Sequence, residues 1–178
     1  AGGRWPTRRS PASAAGGALV LGWQVPADAL AQDAGKDAAG SEVNLWVVVK
    51  PDDSCVVRIA RSEMGQGTLT GLAQLVAEEL DCDWTKVSTE FPTPGQNLAR
   101  NRVWGNFSTG GSQGIRQSND YVRKGGAAAR MMLVQAAANE WKVPVAECSA
   151  SRGVVTHAPS RKTLRYGQLA AAASQLTP

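Results

Sequence analysis

From residue 43 onward the apolar positions of the chain fall into two rhythms. Residues 43–49 (Val-Asn-Leu-Trp-Val-Val-Val) and 55–60 (Cys-Val-Val-Arg-Ile-Ala) are short runs rich in β-branched residues, each of strand length. Pro51, Asp52, Asp53 and Ser54 between them are turn formers, so the two runs predict a β-hairpin. The rhythm then changes. Leu69, Leu72, Ala73, Val76, Ala77 and Leu80 recur at helical spacing, with Glu78 and Glu79 outside the stripe, which predicts an amphipathic helix. Residues 87–91 predict a further strand, and residues 92–108, rich in Pro, Gly and Asn, predict a loop.

A second helical pattern opens after residues 109–114 and runs to about Trp141. Ile115, Val122, Ala129, Met132, Leu133, Ala136 and Ala137 supply much of its apolar face. Gly125, Gly126 and Ala127 to Ala129 give it a waist of small residues, where another backbone can approach closely. Pro144 ends the pattern. A short helix over 145–148, a strand near Val154 and Val155, and a terminal helix over 167–176 complete the reading. The expected class is α+β: a hairpin and short mixed sheet packed with two main helices.

Composition limits this picture without redirecting it. A chain of 178 residues suits one domain, or one domain and a tail, and is too short for a large multidomain enzyme. The 28 alanines inflate the 43% hydrophobic content, yet enough Leu, Val, Ile, Met and Trp remains for a core without disulfide or metal staples. Residues 1–41 differ in texture. Arg8-Arg9, a weak apolar stretch over 18–23 and small residues over 27–31 have the layout of an export leader, with paired arginines of the twin-arginine type. The apolar pair usual after such arginines is replaced by Ser10, Pro11 and Ala12. The expected division is therefore leader and linker over 1–41, and a domain over 42–178.

The net charge of +4 is too mild to indicate nucleic acid as a partner. It is unevenly placed, however. Arg100, Arg102, Arg116, Arg123, Lys124 and Arg130 face only Asp120 within residues 92–135, so that segment carries the whole excess. Cys55, Cys82 and Cys148 are odd in number and lack a C-x-x-C pair, which argues against a disulfide framework or zinc site. They are also too few to hold an iron–sulfur cluster. Cys55 and Cys82 read as packing residues, and His157, the single histidine, as a surface or loop residue. Neither a catalytic residue nor a metal ligand is assigned.

The most informative arrangement occurs twice. Gly65-Gln66-Gly67 and Gly110-Gly111-Ser112 each stand just before a predicted helix. The first amides of a helix are unpaired and carry partial positive charge, so they attract phosphate, and glycine allows close approach. Gln66, Thr109, Ser112 and Gln113 add neutral donors and acceptors that suit a heteroatom-rich ring. The same glycines and Ser112 also suit plain helix capping, and both readings stand at this level. Neither loop is a P-loop or a G-x-G-x-x-G fingerprint.

At these loops the sequence resembles the molybdopterin-binding large subunit of the xanthine oxidase family, in the branch of isoquinoline 1-oxidoreductase beta subunits and membrane-associated bacterial aldehyde dehydrogenases. The residues that carry the resemblance are 60–67 (Ala-Arg-Ser-Glu-Met-Gly-Gln-Gly), 75–81 (Leu-Val-Ala-Glu-Glu-Leu-Asp) and 108–112 (Ser-Thr-Gly-Gly-Ser), supported by 123–130. It implies that Met64, Gly65, Gln66 and Gly67 form one cofactor loop and Thr109, Gly110, Gly111, Ser112 and Gln113 another, around a molybdenum–molybdopterin cofactor, often in its cytosine dinucleotide form.

The resemblance further implies hydroxylation of an aldehyde or aromatic N-heterocycle with oxygen from water. Electrons would leave through a small [2Fe-2S] partner subunit and, in some systems, a cytochrome c. A periplasmic or membrane-associated location follows from the leader, with a cytoplasmic one as the alternative. Large subunits of the family are several times longer, and the glutamate that serves as general base lies in a C-terminal region beyond this match. The expectation is therefore an N-terminal segment of such a subunit. Two other readings compete: a stand-alone module binding an anionic ligand through the basic segment, and a helical interaction domain whose glycines only cap.

Overall fold

The structure, a computed structural model, describes residues 40–177. The leader and most of the linker expected over 1–41 lie outside the described residues. Strands β1 (Ser41–Asn44) and β2 (Val47–Val49) divide what the pattern presents as one run. Asn44 makes the break: its Oδ1 accepts from the amides of Trp46 and Val47, at 2.9 and 3.0 Å, and turns the chain back. β2 then pairs antiparallel with β3 (Cys55–Arg58), which is the expected hairpin.

From β3 the chain crosses through helix α1 (Thr68–Leu80) to β4 (Val87–Glu90), which lies parallel to β3. The sheet order is β1-β2-β3-β4, with mixed directions as expected. Residues 92–108 are not simply a loop, because helix α2 (Pro94–Ala99) forms within them. Thr93 and Gln96 make a reciprocal capping box and Pro94 fits the first turn, so capping chemistry outweighs the Pro and Gly content.

Helix α3 (Ile115–Trp141) follows, and then a second sheet, the antiparallel meander β5 (Cys148–Ser151), β6 (Val154–His157) and β7 (Lys162–Arg165). Only β6 is foreshadowed by the apolar pattern; β5 and β7 are short strands set by their pairing, with only Cys148, Ala150 and Leu164 partly buried against the core. Helix α4 (Tyr166–Ala173) ends earlier than the expected 176. His157 is a correction to the sequence reading. Strand alternation places it on the inner face with Val155, 5% exposed, between Glu147 (Nε2 to Oε2, 2.8 Å) and Ser160 (Nδ1 to Oγ, 2.7 Å).

The core lies between the first sheet and helices α1, α3 and α4, with Val47, Val49, Val57, Leu72, Val76, Leu133 and Tyr166 fully buried. The Tyr166 hydroxyl donates to the Leu80 carbonyl at 2.7 Å, and burial pushes its pKa up. The small-residue waist of α3 does what its composition suggests. A Cβ on Gly126 would lie 2.5 Å from the Val76 carbonyl oxygen, and one on Gly125 would lie 2.7 Å from the Trp46 ring. Gly114 meets Thr68 in the same way, and Gly71 meets Ile115. Contacts that advance together along both helices make α1 and α3 parallel. Their N-termini therefore sit side by side, with both positive dipole ends at one place.

Candidate functional site

Two loops meet at that end: residues 61–67, leading into α1, and residues 105–114, leading into α3. Arg61 joins them. Its Nε donates to Ser118 Oγ at 2.9 Å, and its Nη1 to Ser108 O at 2.8 Å and Gln113 Oε1 at 3.2 Å. Ser118 is fully buried and in turn donates to the Gln113 carbonyl at 2.9 Å, so the guanidinium is anchored at its inner end. The guanidinium also lies 6.0 Å from the centre of the Tyr121 ring. Beside it, the Ser62 amide and hydroxyl both donate to the Phe107 carbonyl, at 2.9 and 2.7 Å. A charged donor held by several fixed acceptors is among the stronger ways to lock one loop to another.

The first loop is closed upon itself. Gly65 and Gly67 adopt φ of 93° and 79°, a conformation that favours glycine, and curl the chain around the Glu63 carboxylate. That carboxylate accepts from the amides of Gly65 at 2.7 Å, Gly67 at 3.0 Å and Leu69 at 2.9 Å. The Leu69 bond is the main influence holding the Glu63 pKa below the ordinary carboxylate range, and the Gly67 and Gly65 bonds act in the same sense. Gln66 is fixed as well: Oε1 accepts from the Met64 amide at 2.6 Å, while Nε2 reaches Ser62 O at 2.9 Å and Thr68 Oγ1 at 2.8 Å. The same nitrogen lies 3.5 Å from Thr109 Oγ1, a further contact between the loops. Met64 is 74% exposed.

The second loop is open. Gly110 to Ser112 form one short 3-10 turn with Gly111 at φ 67° and Ser112 at φ 62°. All three residues are exposed, while Thr109 and Gln113 are half-buried. Neither this turn nor the start of α3 receives a hydrogen bond from a capping side chain. Ser112 thus does not cap α3, contrary to the plain capping reading. A Cβ on Gly111 would meet nothing within 4 Å, so a ligand can come directly against the backbone there.

The chemistry of these donors fits a phosphorylated, heteroatom-rich group at the second loop. At the first loop the fit is different, because a side chain of the protein already holds the amides, and Gln66 with the exposed Met64 is what remains to meet a ligand. Sequence reasoning singled out the glycines of both loops and missed Glu63, although its signal was present: a carboxylate two residues before a Gly-x-Gly at a helix start. Arg61 stood inside the recognised run but received no role.

The basic segment is corrected too. Arg100 makes a bidentate pair with Glu42 at 2.6 and 3.0 Å, Arg123 pairs with Glu79, and Lys124 with Asp120. Three of the six basic residues are thus paired with neighbouring acids, Glu42 also bonding the buried Arg58. Among the described residues no group of three or more His, Cys, Asp or Glu side chains stands where it could hold a metal ion.

Comparison with known proteins gives the family and the fold. The molybdopterin cofactor-binding domain family matches residues 8–177. The isoquinoline 1-oxidoreductase subunit beta of Brevundimonas diminuta is 38% identical over 129 residues, covering 72% of this chain and 16% of that protein. A membrane-bound aldehyde dehydrogenase (pyrroloquinoline-quinone) of Gluconacetobacter polyoxogenes is 30% identical over 130 residues, covering 73% of this chain and 16% of its own. The chain therefore spans only a small part of the length of either relative. Among solved structures, quinoline 2-oxidoreductase from Pseudomonas putida 86 superposes with a TM-score of 0.55 at 19% identity, over 71% of this chain and 15% of that one. The copper- and molybdenum-containing CO dehydrogenase in its carbon-monoxide-reduced state gives 0.53 at 20% identity, over 71% and 15%. These two likenesses establish a shared fold.

Proposed function

The chain belongs to the molybdopterin cofactor-binding domain family, and on that footing we propose that it forms the N-terminal part, residues 42–178, of the large subunit of a molybdenum hydroxylase. The proposed reaction is hydroxylation of an aldehyde or an aromatic N-heterocycle with water-derived oxygen; the names of its two relatives, an isoquinoline oxidoreductase and an aldehyde dehydrogenase, support these two substrate classes. The observation that carries the reading is the junction of the two loops at the paired N-termini of α1 and α3, locked by Arg61.

Thr109, Gly110, Gly111, Ser112 and Gln113 hold the phosphate-bearing side of the cofactor through exposed backbone and neutral side chains. Met64, Gly65, Gln66 and Gly67 line its other side. Arg61 keeps the second loop at a fixed distance from the first. When bound, a molybdenum cofactor, in its cytosine dinucleotide form, would supply the oxygen-transfer and two-electron redox chemistry. Within this chain no described residue is assigned the general base, which belongs to the remainder of the large subunit.

The electrons pass to a [2Fe-2S] partner subunit and onward, in some assemblies, to a cytochrome c; no nucleic acid is a partner. The twin-arginine-like leader and the membrane-bound relative support a periplasmic or membrane-associated site of action. The stand-alone anion-binding alternative draws less support, since Arg100, Arg123 and Lys124 are already paired. Elemental analysis of the intact subunit tests the proposal: stoichiometric molybdenum is expected, and an active, molybdenum-free protein overturns it.

A further inference from the structure

We propose that Glu63 is the positioning residue of the first loop: its carboxylate stands where a ligand anion would otherwise stand at the head of α1, and it fixes the turn that carries the exposed Met64 and Gln66. The inference rests on the reading of residues 64–67 as cofactor contacts and divides the work between the loops. Three amides converge on one carboxylate, from Gly65, Gly67 and Leu69, within 2.7–3.0 Å. Two of them come from residues at positive φ, so the backbone is shaped around this side chain rather than around an empty concavity. The rest of the loop depends on that shape. Gln66 lies between the two glycines, and its side chain is directed by Ser62, Met64 and Thr68 toward Thr109.

The electrostatic consequence is a preference. A phosphate brought to the head of α1 meets a like charge already seated on its amides, whereas one brought to Gly110–Ser112 meets exposed backbone with no capping side chain. The phosphorylated part of the ligand therefore belongs to the second loop and an uncharged part to the first. Arg61, the nearest cation in sequence, makes no ion pair with Glu63; its guanidinium bonds neutral acceptors on Asn106, Ser108, Gln113 and Ser118 instead.

Amide resonances of the full chain, followed against pH and against added inorganic pyrophosphate, test this directly. In the wild type the Gly65, Gly67 and Leu69 amides should titrate together, with one midpoint below the ordinary glutamate value, and should not respond to pyrophosphate. Glu63→Gln should abolish the shared titration while leaving Gln66 near its native shifts. Glu63→Ala should make the three amides respond to pyrophosphate, with at least a tenfold gain in affinity there. Wild-type amides that fail to titrate together, or that bind pyrophosphate as well as those of Glu63→Ala, overturn the inference. The wild-type titration stands alone if a variant does not fold. Because no molybdenum is involved, a failed metal analysis would sink the proposed function and leave this result intact.

Discussion

The two glycine loops look alike in sequence and differ in what their amides face. Residues 63–69 wrap a carboxylate of the chain itself, while residues 110–112 are exposed and receive no capping side chain. Both begin a helix, both use positive φ, and both lie at one end of the same helix pair. A glycine-rich helix start is thus an anion site only when nothing nearby in sequence already fills it. One acidic residue two positions upstream decides the matter. In the proposed reading, the pair would orient a ligand with a charged and an uncharged end by exclusion as well as by attraction.

The comparison breaks most completely if the helix pair is forced apart. Gly126→Val sets a β-branched side chain against the Val76 carbonyl, 2.5 Å from where the first added carbon would lie. We expect a loss of roughly 3 kcal/mol, the upper end of over-packing, with both loops losing order together, read by denaturant unfolding and amide exchange. If only one loop loses protection, the shared helix pair is not what positions both.

Next in size is Arg61→Ala, which removes charged hydrogen bonds to Ser108, Gln113 and Ser118. A destabilisation of about 2 kcal/mol is expected for hydrogen bonds to a charged donor in a half-buried setting. Exchange protection should fall over 106–113 and persist at Gly65, Gly67 and Leu69, whose bonds to Glu63 do not involve Arg61. Equal loss in both loops would contradict the idea that the first is closed by its own carboxylate.

Acid should produce the reverse pattern. The folded-state pKa of Glu63 is depressed, so its contribution is fully present above the unfolded value of ~4.3 and is lost as pH falls through the lower folded value. Amides of the first loop should lose protection in that window before those of the second, measured by exchange on a descending pH series. Simultaneous loss would assign the effect to global acid unfolding.

Gly111→Ala is the mildest change. The site has room for a methyl group, and only the backbone at φ 67° resists it. A cost of roughly 1 kcal/mol is expected from the left-handed conformation, as a small fall in Tm with the first loop unaffected.

Much of this arrangement was legible in the sequence, and the unread parts share a cause. The hairpin, α1, α3 and the small-residue waist are long or strongly periodic, and burial enforces their pattern. The β1–β2 break at Asn44, helix α2 and strands β5 and β7 depend on side-chain-to-backbone bonds or strand pairing, which leave no apolar rhythm. His157 was misplaced for a related reason: two polar partners, Glu147 and Ser160, make its burial tolerable, and neither is visible as a pattern. At the site, the glycines announced the two loops, while the residues that set their difference, Arg61 and Glu63, act through acceptors and donors that only the folded chain brings together.

The central claim is that the uncapped second loop, beside a self-closed first loop, holds a molybdopterin cofactor. It is tested most directly by measuring molybdenum and pterin together in the intact subunit and in a Gly111→Val variant of it. The expected result is stoichiometric metal and pterin in the parent protein and loss of both from the variant, with the α1–α3 core still folded by circular dichroism. Full retention of metal and pterin in a folded Gly111→Val variant, or their absence from an active parent protein, would contradict it.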